Sequence, residues 1–334
     1  MSETIRLPHK PDSPLSYQFL PGQGSSSTTH LVVFLNGLIV PQDGWAPTIR
    51  DLQRRWSEKG SSSHPPLLTY DRYGQGQSAR DPADAARGGT HSIQEVVGDL
   101  HTLVRQIWRI KVRATTTTRR KCPREPRTTP RLILVGNSIG CVIARLYAAE
   151  YPGAVEALLL LDSNIANSDL VSIFPDPDAR GFDPAADLPP DVTIADLRRT
   201  REGYAAVFHP AAPNPEHLDR RAVAALLPDA DAPALVGPGG DGPLVTVVGH
   251  DWNAFAEEGL RGFMRVPKSL TNSFMNPAWT RYNEGLVRIT DALRARGPVT
   301  AVGCGHFIQR DDPVLVAELV EDLLGKVRDW KRWR

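Results

Sequence analysis

Apolar residues gather in six short uninterrupted runs, at positions 31–35, 67–70, 132–135, 157–161, 244–248 and 299–302. None alternates apolar with polar residues, and each stops at a turn signal. A strand apolar on both sides must be covered on both sides, as in a parallel sheet between two helix layers. Helical patterns lie between the runs. Residues 45–58 carry apolar positions at helical spacing. Ser92 and Glu95 form a capping-box pair that opens a helix running to about residue 110. Residues 139–151 follow a strand directly. Asp312-Pro313 places a cap before a first-turn proline and starts a helix through residue 324. This alternation predicts an α/β fold with a doubly wound, mostly parallel sheet.

Two stretches break the rhythm. Residues 111–130 contain four consecutive threonines and a basic run, and read as a solvated loop inserted between a helix and a strand. Residues 164–242 are rich in Pro, Asp and Gly, with helical patterns at 194–207 and 218–227. They are too long for a simple crossover and read as an inserted cap or lid. The core is then built from residues 1–163 and 243–334.

Charge sharpens this division. The 334 residues carry 39 Lys and Arg against 38 Asp and Glu, a formal net charge of +1. The stretch 111–131 alone sums to +7 and the stretch 326–334 to +4, leaving −10 for the rest. An acidic body with two basic appendages gives no general case for nucleic acid. Three cysteines, Cys122, Cys141 and Cys304, make neither a disulfide framework nor a paired metal-ligand pattern. No apolar run approaches the roughly 20 residues of a membrane span, and residues 1–11 lack the apolar core of a leader. Trp330 and Trp333 sit among C-terminal basic residues, in a stretch too short to anchor stably. The expectation is a soluble cytoplasmic protein acting on a small molecule, with no metal, no cofactor, no nucleic acid and no stable membrane insertion. Oligomeric state is left open.

The candidate chemistry starts at Gly136-Asn137-Ser138-Ile139-Gly140, between a strand and a helix. A strand-to-helix turn this sharp exposes the Ser138 hydroxyl at the sheet edge, and flanking glycines remove side chains that would collide. Three more motifs follow strands: Asn36-Gly37-Leu38 after the first run, Asp71-Arg72-Tyr73-Gly74-Gln75-Gly76-Gln77-Ser78 after the second, and Gly303-Cys304-Gly305-His306-Phe307 after the last. The second lacks the Lys-Ser/Thr pair and third glycine of nucleotide-binding loops.

Together these motifs resemble the α/β-hydrolase superfamily, in its serine branch with a cap. The resemblance implies Ser138 as nucleophile, His306 as base, and the backbone N–H groups of Leu38 and Ile139 as oxyanion donors. It implies an acid at Asp251, after the fifth run, with Asp162 as the alternative after the fourth. The serine argues against the haloalkane dehalogenase and epoxide hydrolase branches, which the resemblance would equip with aspartate. Cys304 reads as a small core residue. Asn36, Gly37, Ile39, Phe174, Tyr204, Trp252 and Phe307 are the candidate substrate-binding residues, although the cap aromatics equally suit packing. The expected activity is hydrolysis of an ester, lactone or thioester through an acyl-enzyme. The alternatives are carbon–carbon cleavage of β-diketone-like substrates, acyl transfer, or a ligand-binding receptor on the same fold.

Overall fold

A computed structural model describes residues 2–114 and 128–330. Eight strands form one sheet: β1 (Glu3–Leu7), β2 (Lys10–Leu20), β3 (His30–Leu35), β4 (Leu67–Tyr70), β5 (Arg131–Ser138), β6 (Val155–Ser163), β7 (Leu244–His250) and β8 (Ala295–Ala301). Their order is β1-β2-β4-β3-β5-β6-β7-β8. β1 and β2 pair antiparallel, as do β2 and β4, and all other pairs are parallel. The doubly wound sheet is as expected. The antiparallel hairpin at its edge escaped the sequence reading, because its buried apolar residues Ile5, Leu7, Leu15 and Tyr17 are separated by residues such as Arg6 and Ser16 instead of forming a continuous run.

The central strands β3 to β7 are apolar along most of their length because the sheet has two cores, whereas β8 at the edge is mostly exposed. Leu31, Val33 and Leu35 of β3 enter one, and Val32 and Phe34 enter the other. That alternation is the period of two of an extended chain. The first core is covered by α2 (Ile93–Ile107) and α3 (Ile139–Glu150). The second is covered by α1 (Ala46–Glu58) and the C-terminal helix Pro313–Trp330, through Leu52, Trp56, Val316 and Val320. The capping box at Ser92 and Glu95 is formed. Past Ile107 the chain stays helical as a wider turn to Arg113, so the inserted loop begins later than its composition implied. Most of that loop, with five of its basic residues, lies outside the described residues, as do Cys122 and the four C-terminal residues.

Residues 164–242 leave the sheet between β6 and β7. They carry the expected helix at 194–207, α4 (Ile194–Val207), which starts with a Thr193–Asp196 capping box. The second expected helix, at 218–227, is reduced to Val223–Leu226, since Leu218–Asp219 pairs in parallel with His91–Ser92 instead. Two further helices, α5 (Trp252–Arg261) and α6 (Asn276–Leu286), precede β8. Among the described residues no helix is long and apolar enough to cross a membrane.

The chain passes from β3 outward to β4 and returns to β5 on the other side of β3. At such a reversal the carboxyl ends of neighbouring strands open a crevice. The loop after β3 and the turn after β5 meet there.

Candidate active site

Ser138 ends β5 at φ 56° and ψ −124°, a conformation that costs free energy for any residue with a side chain. Its neighbours explain how the turn is tolerated. A Cβ on Gly140 would lie 2.2 Å from the carbonyl oxygen of Leu35, and one on Gly136 would lie 2.7 Å from the backbone of Gly140. Both glycines are therefore required by backbone against backbone. Ile139 is the first residue of α3, so its N–H has no acceptor within the helix.

The loop after β3 runs beside this turn. A Cβ on Gly37 would sit 3.5 Å from the Ser138 Cβ and 3.8 Å from the Phe307 ring. Arg72 Nη2 and Gln75 Nε2 both donate to the carbonyl oxygen of Gly37, at 2.9 and 3.0 Å, and Arg72 Nη1 donates to that of Asn36 at 2.8 Å. In a trans peptide the N–H points opposite to the C=O. Holding the Gly37 oxygen therefore fixes the direction of the Leu38 N–H. Arg72 is itself paired with Glu216, from the segment between β6 and β7, and both are almost wholly buried. The same carboxylate accepts from the N–H of Ile39, a residue at φ 58° whose side chain is exposed. Asp71 closes its own loop by accepting from Gln42 and Gln77 backbone N–H groups.

His306 follows β8. Its Nδ1 lies 2.6 Å from Asp162 Oδ2. Asp251, the expected partner, is elsewhere. Its carboxylate accepts from the N–H groups of Asn253 and Ala254 and caps α5, and it also accepts from Gly303 N–H. The reason is local. Ser138 registers with Ser163 while Asn137 registers with Leu161, so Asp162 is the extra residue of a β-bulge, at φ 44°. Bulges re-aim side chains, and this one turns the Asp162 carboxylate toward His306. At the corresponding end of β7 the residue facing Asp162 is His250, and Asp251 points the other way. Burial pushes the Asp162 carboxyl up, but the charge of His250 and the hydrogen bonds from both histidines outweigh it and hold the group below the ordinary aspartate range.

Two side chains that the sequence reading passed over fasten His306. Asn137, fully buried, donates to the carbonyl oxygens of Leu161 and His306 at 3.0 and 2.9 Å. Glu258 accepts from the His306 N–H at 3.0 Å. Asn137 sits inside the Gly136–Gly140 motif, directly before the serine that the motif marks. Nothing local in sequence marks Glu258.

The candidate substrate-binding residues divide. Gly37, Ile39 and Phe307 lie in the loops around Ser138. Asn36 does not belong with them: its amide donates to Tyr70 O and Gln75 Oε1, and its oxygen accepts from Trp45 Nε1, all inside the protein. Phe174 and Tyr204 are buried against each other at 5.0 Å, packing rather than lining an open surface. Trp252 is partly exposed and bonded to Thr280. Cys304 is a buried core residue, and burial foremost, with nearby carboxylates, pushes its thiol up to about 11.

Asp81, Asp84 and His91 bring potential metal-ligand atoms within 4.8 Å of one another, a cluster no spacing rule suggested. The ammonium of Lys10 already lies 2.5 Å from Asp81 and 2.6 Å from Asp99, so a cation is supplied there by the chain.

The sequence model of the alpha/beta hydrolase family matches residues 32–319, most of the chain. The chain belongs to that family. Solved alpha/beta hydrolase structures are similar over nearly their whole length. A thermophilic esterase from Thermogutta terrifontis is 16% identical, with a TM-score of 0.51 over 98% of this chain and 99% of that one. Alpha/beta hydrolase domain-containing protein 10 from mouse is 13% identical, with a TM-score of 0.51 over 98% and 99%. A structure from work on carboxylesterases of Nitrososphaera gargenis is 13% identical, with a TM-score of 0.50 over 98% and 99%. Identities this low carry the fold alone. Among curated protein sequences none matches the chain significantly.

Proposed function

We propose that this hydrolase cleaves an ester, lactone or thioester of a small, largely uncharged substrate, using Ser138 as nucleophile, His306 as base and Asp162 as acid. The observation that carries the reading is the 2.6 Å bond from His306 to Asp162 at the sheet edge where Ser138 is held at positive φ. Asp162 keeps the proton on Nδ1, so Nε2 is left free to accept the serine proton. The attack on the carbonyl then forms an oxyanion, for which the N–H groups of Leu38 and Ile139 are the proposed donors. Donors held in place before reaction stabilise charge that develops only in the transition state. His306 returns its proton to the leaving group, and water resolves the acyl-enzyme. Residues 164–242 act as the cap, contributing Glu216 to the support of the oxyanion loop.

A fluorophosphonate probe tests this directly. Labelling of the native protein that vanishes in Ser138→Ala is expected, together with turnover in a screen of activated esters, lactones and thioesters. No labelling of folded protein would sink the proposal and leave a receptor. Labelling with turnover only on β-diketones would replace ester hydrolysis by carbon–carbon cleavage.

A further inference from the structure

Asp162 serves two histidines. One oxygen meets His306, and the other lies 2.8 Å from Nδ1 of His250, which is 2% exposed at its side chain. On the far side of that ring, Nε2 lies 3.0 Å from Asn276 Oδ1. The orientation of the Asn276 amide is set by its own partners: its nitrogen donates to Trp252 O at 3.1 Å and to Asn272 Oδ1 at 2.7 Å. A carboxylate and an amide oxygen can only accept. Both ring nitrogens of His250 therefore face acceptors, and both must carry a proton.

We propose that His250 is a buried imidazolium that shares the Asp162 carboxylate with His306 and thereby weakens the hold of His306 on its proton. His250 is a positioning residue: it touches neither substrate nor Ser138 in this arrangement, and it acts through Asp162. The inference rests on the proposed catalytic roles of His306 and Asp162.

The surroundings fit a cation. The Phe255 ring stacks on His250 at 4.2 Å, where the face of an aromatic ring favours positive charge. The other titratable groups facing the pair are Asp251, committed to the amides of α5, His306 across the carboxylate, and Cys141 of α3, whose thiol burial pushes up. From α6 come only the uncharged Asn276 and Trp279. Burial opposes the charge on His250, but Asp162 and the Asn276 bond outweigh it and keep its pKa above the ordinary histidine value.

A lone carboxylate beside His306 would favour the imidazolium of His306 strongly. A second cation on the same carboxylate offsets part of that field. Two measurements decide the matter. Nitrogen-15 NMR of the histidine rings in the intact protein needs no substrate, and His250→Gln assigns the signal. Two protonated ring nitrogens on His250 at pH 7 are expected, and one bare nitrogen overturns the proposal. In Asn276→Leu, which removes the acceptor at Nε2, the second proton should be lost at lower pH than in the native protein.

The rate of fluorophosphonate labelling against pH is the second measurement. Glutamine keeps an N–H for Asp162 and drops the charge, so the acid limb should move up by about one pH unit in His250→Gln. An unmoved limb in folded variant overturns the tuning role. Absence of labelling in the native protein would instead refute the serine-hydrolase reading, with the NMR result still deciding the charge of His250.

Discussion

The side chain of Asn137 donates to the backbone oxygen of His306 at 2.9 Å, so the residue preceding the proposed nucleophile holds the proposed base across 169 positions of sequence. Its own oxygen accepts from Gln309 at 3.2 Å, and its second amide proton reaches Leu161. Two of the three bonds on this buried amide tie the end of β5 to the segment after β8, and the third ties it to β6. In Asn137→Ala the loop loses one of its two tethers while Ser138, His306 and Asp162 all remain. A displacement of about 1 Å in such a site costs roughly 100-fold in rate. kcat for an activated ester should fall by about that factor with KM little changed, and circular dichroism should stay native.

The two aspartates that compete in sequence are separable by experiment. Asp162→Asn leaves His306 with an amide in place of a carboxylate and permits the wrong tautomer, a change that costs about 10⁴ in kcat where a Ser-His-Asp triad is established. Asp251→Ala should keep most of its turnover. Its loss is one of helix capping, about 1 kcal/mol of stability, read as a lower midpoint in urea.

Gly140→Ala adds one methyl group at a point 2.2 Å from a backbone oxygen. Neither partner is a flexible side chain, so α3 or β3 must move. A loss of about 3 kcal/mol is expected. Chemical denaturation measures it, and a stability change under about 1 kcal/mol would show that the turn is looser than its contacts imply.

Stability should depend on pH through the Asp162–His250 pair. The Asp162 pKa is depressed in the folded protein, so its contribution is present above the ordinary aspartate value and is lost as pH falls through the folded one. The His250 pKa is raised, so its contribution is full below the ordinary histidine value and is lost as pH rises through the folded one. The pair therefore stabilises most between about pH 4 and 6.5. The Tm difference between native protein and His250→Gln should be largest in that window and narrow on either side of it.

The buried Arg72–Glu216 pair should be costly to break and cheap to replace. Glu216→Ala leaves an uncompensated guanidinium and frees the Ile39 amide, for a loss of about 3–5 kcal/mol. Arg72→Met with Glu216→Leu should recover much of that loss but not the activity, since nothing would then hold the Gly37 carbonyl from the Arg72 side.

Sequence made the strands legible wherever both faces were covered, and the helices wherever a cap announced them, as at Ser92 and Asp312. It missed the hairpin of β1 and β2, whose alternation is diluted by charged residues at the sheet edge. Ser138 and His306 were readable because each sits in a glycine-rich turn after a strand. The acid was not settled, because what separates Asp162 from Asp251 is a one-residue bulge in β6, and a bulge leaves no mark in composition or periodicity. Asn137, Glu216, His250 and Glu258 share a different difficulty. The bonds that bring them to Arg72, Asp162 and His306 span 48 to 169 positions, and only folding brings each pair together.

The ion pair of Glu216 with Arg72 also limits how this enzyme can be remodelled. Under the proposed function, with residues 164–242 as the cap, the direct way to alter substrate range would be to graft a foreign segment between β6 and β7. Here the graft would carry away the carboxylate that secures the loop beside Ser138. A chimera must either import a glutamate in register with Arg72 or lose the reaction along with the old specificity. The insert is thus not an interchangeable module, and variation in what the pocket accepts has to arise around Glu216 rather than through wholesale exchange.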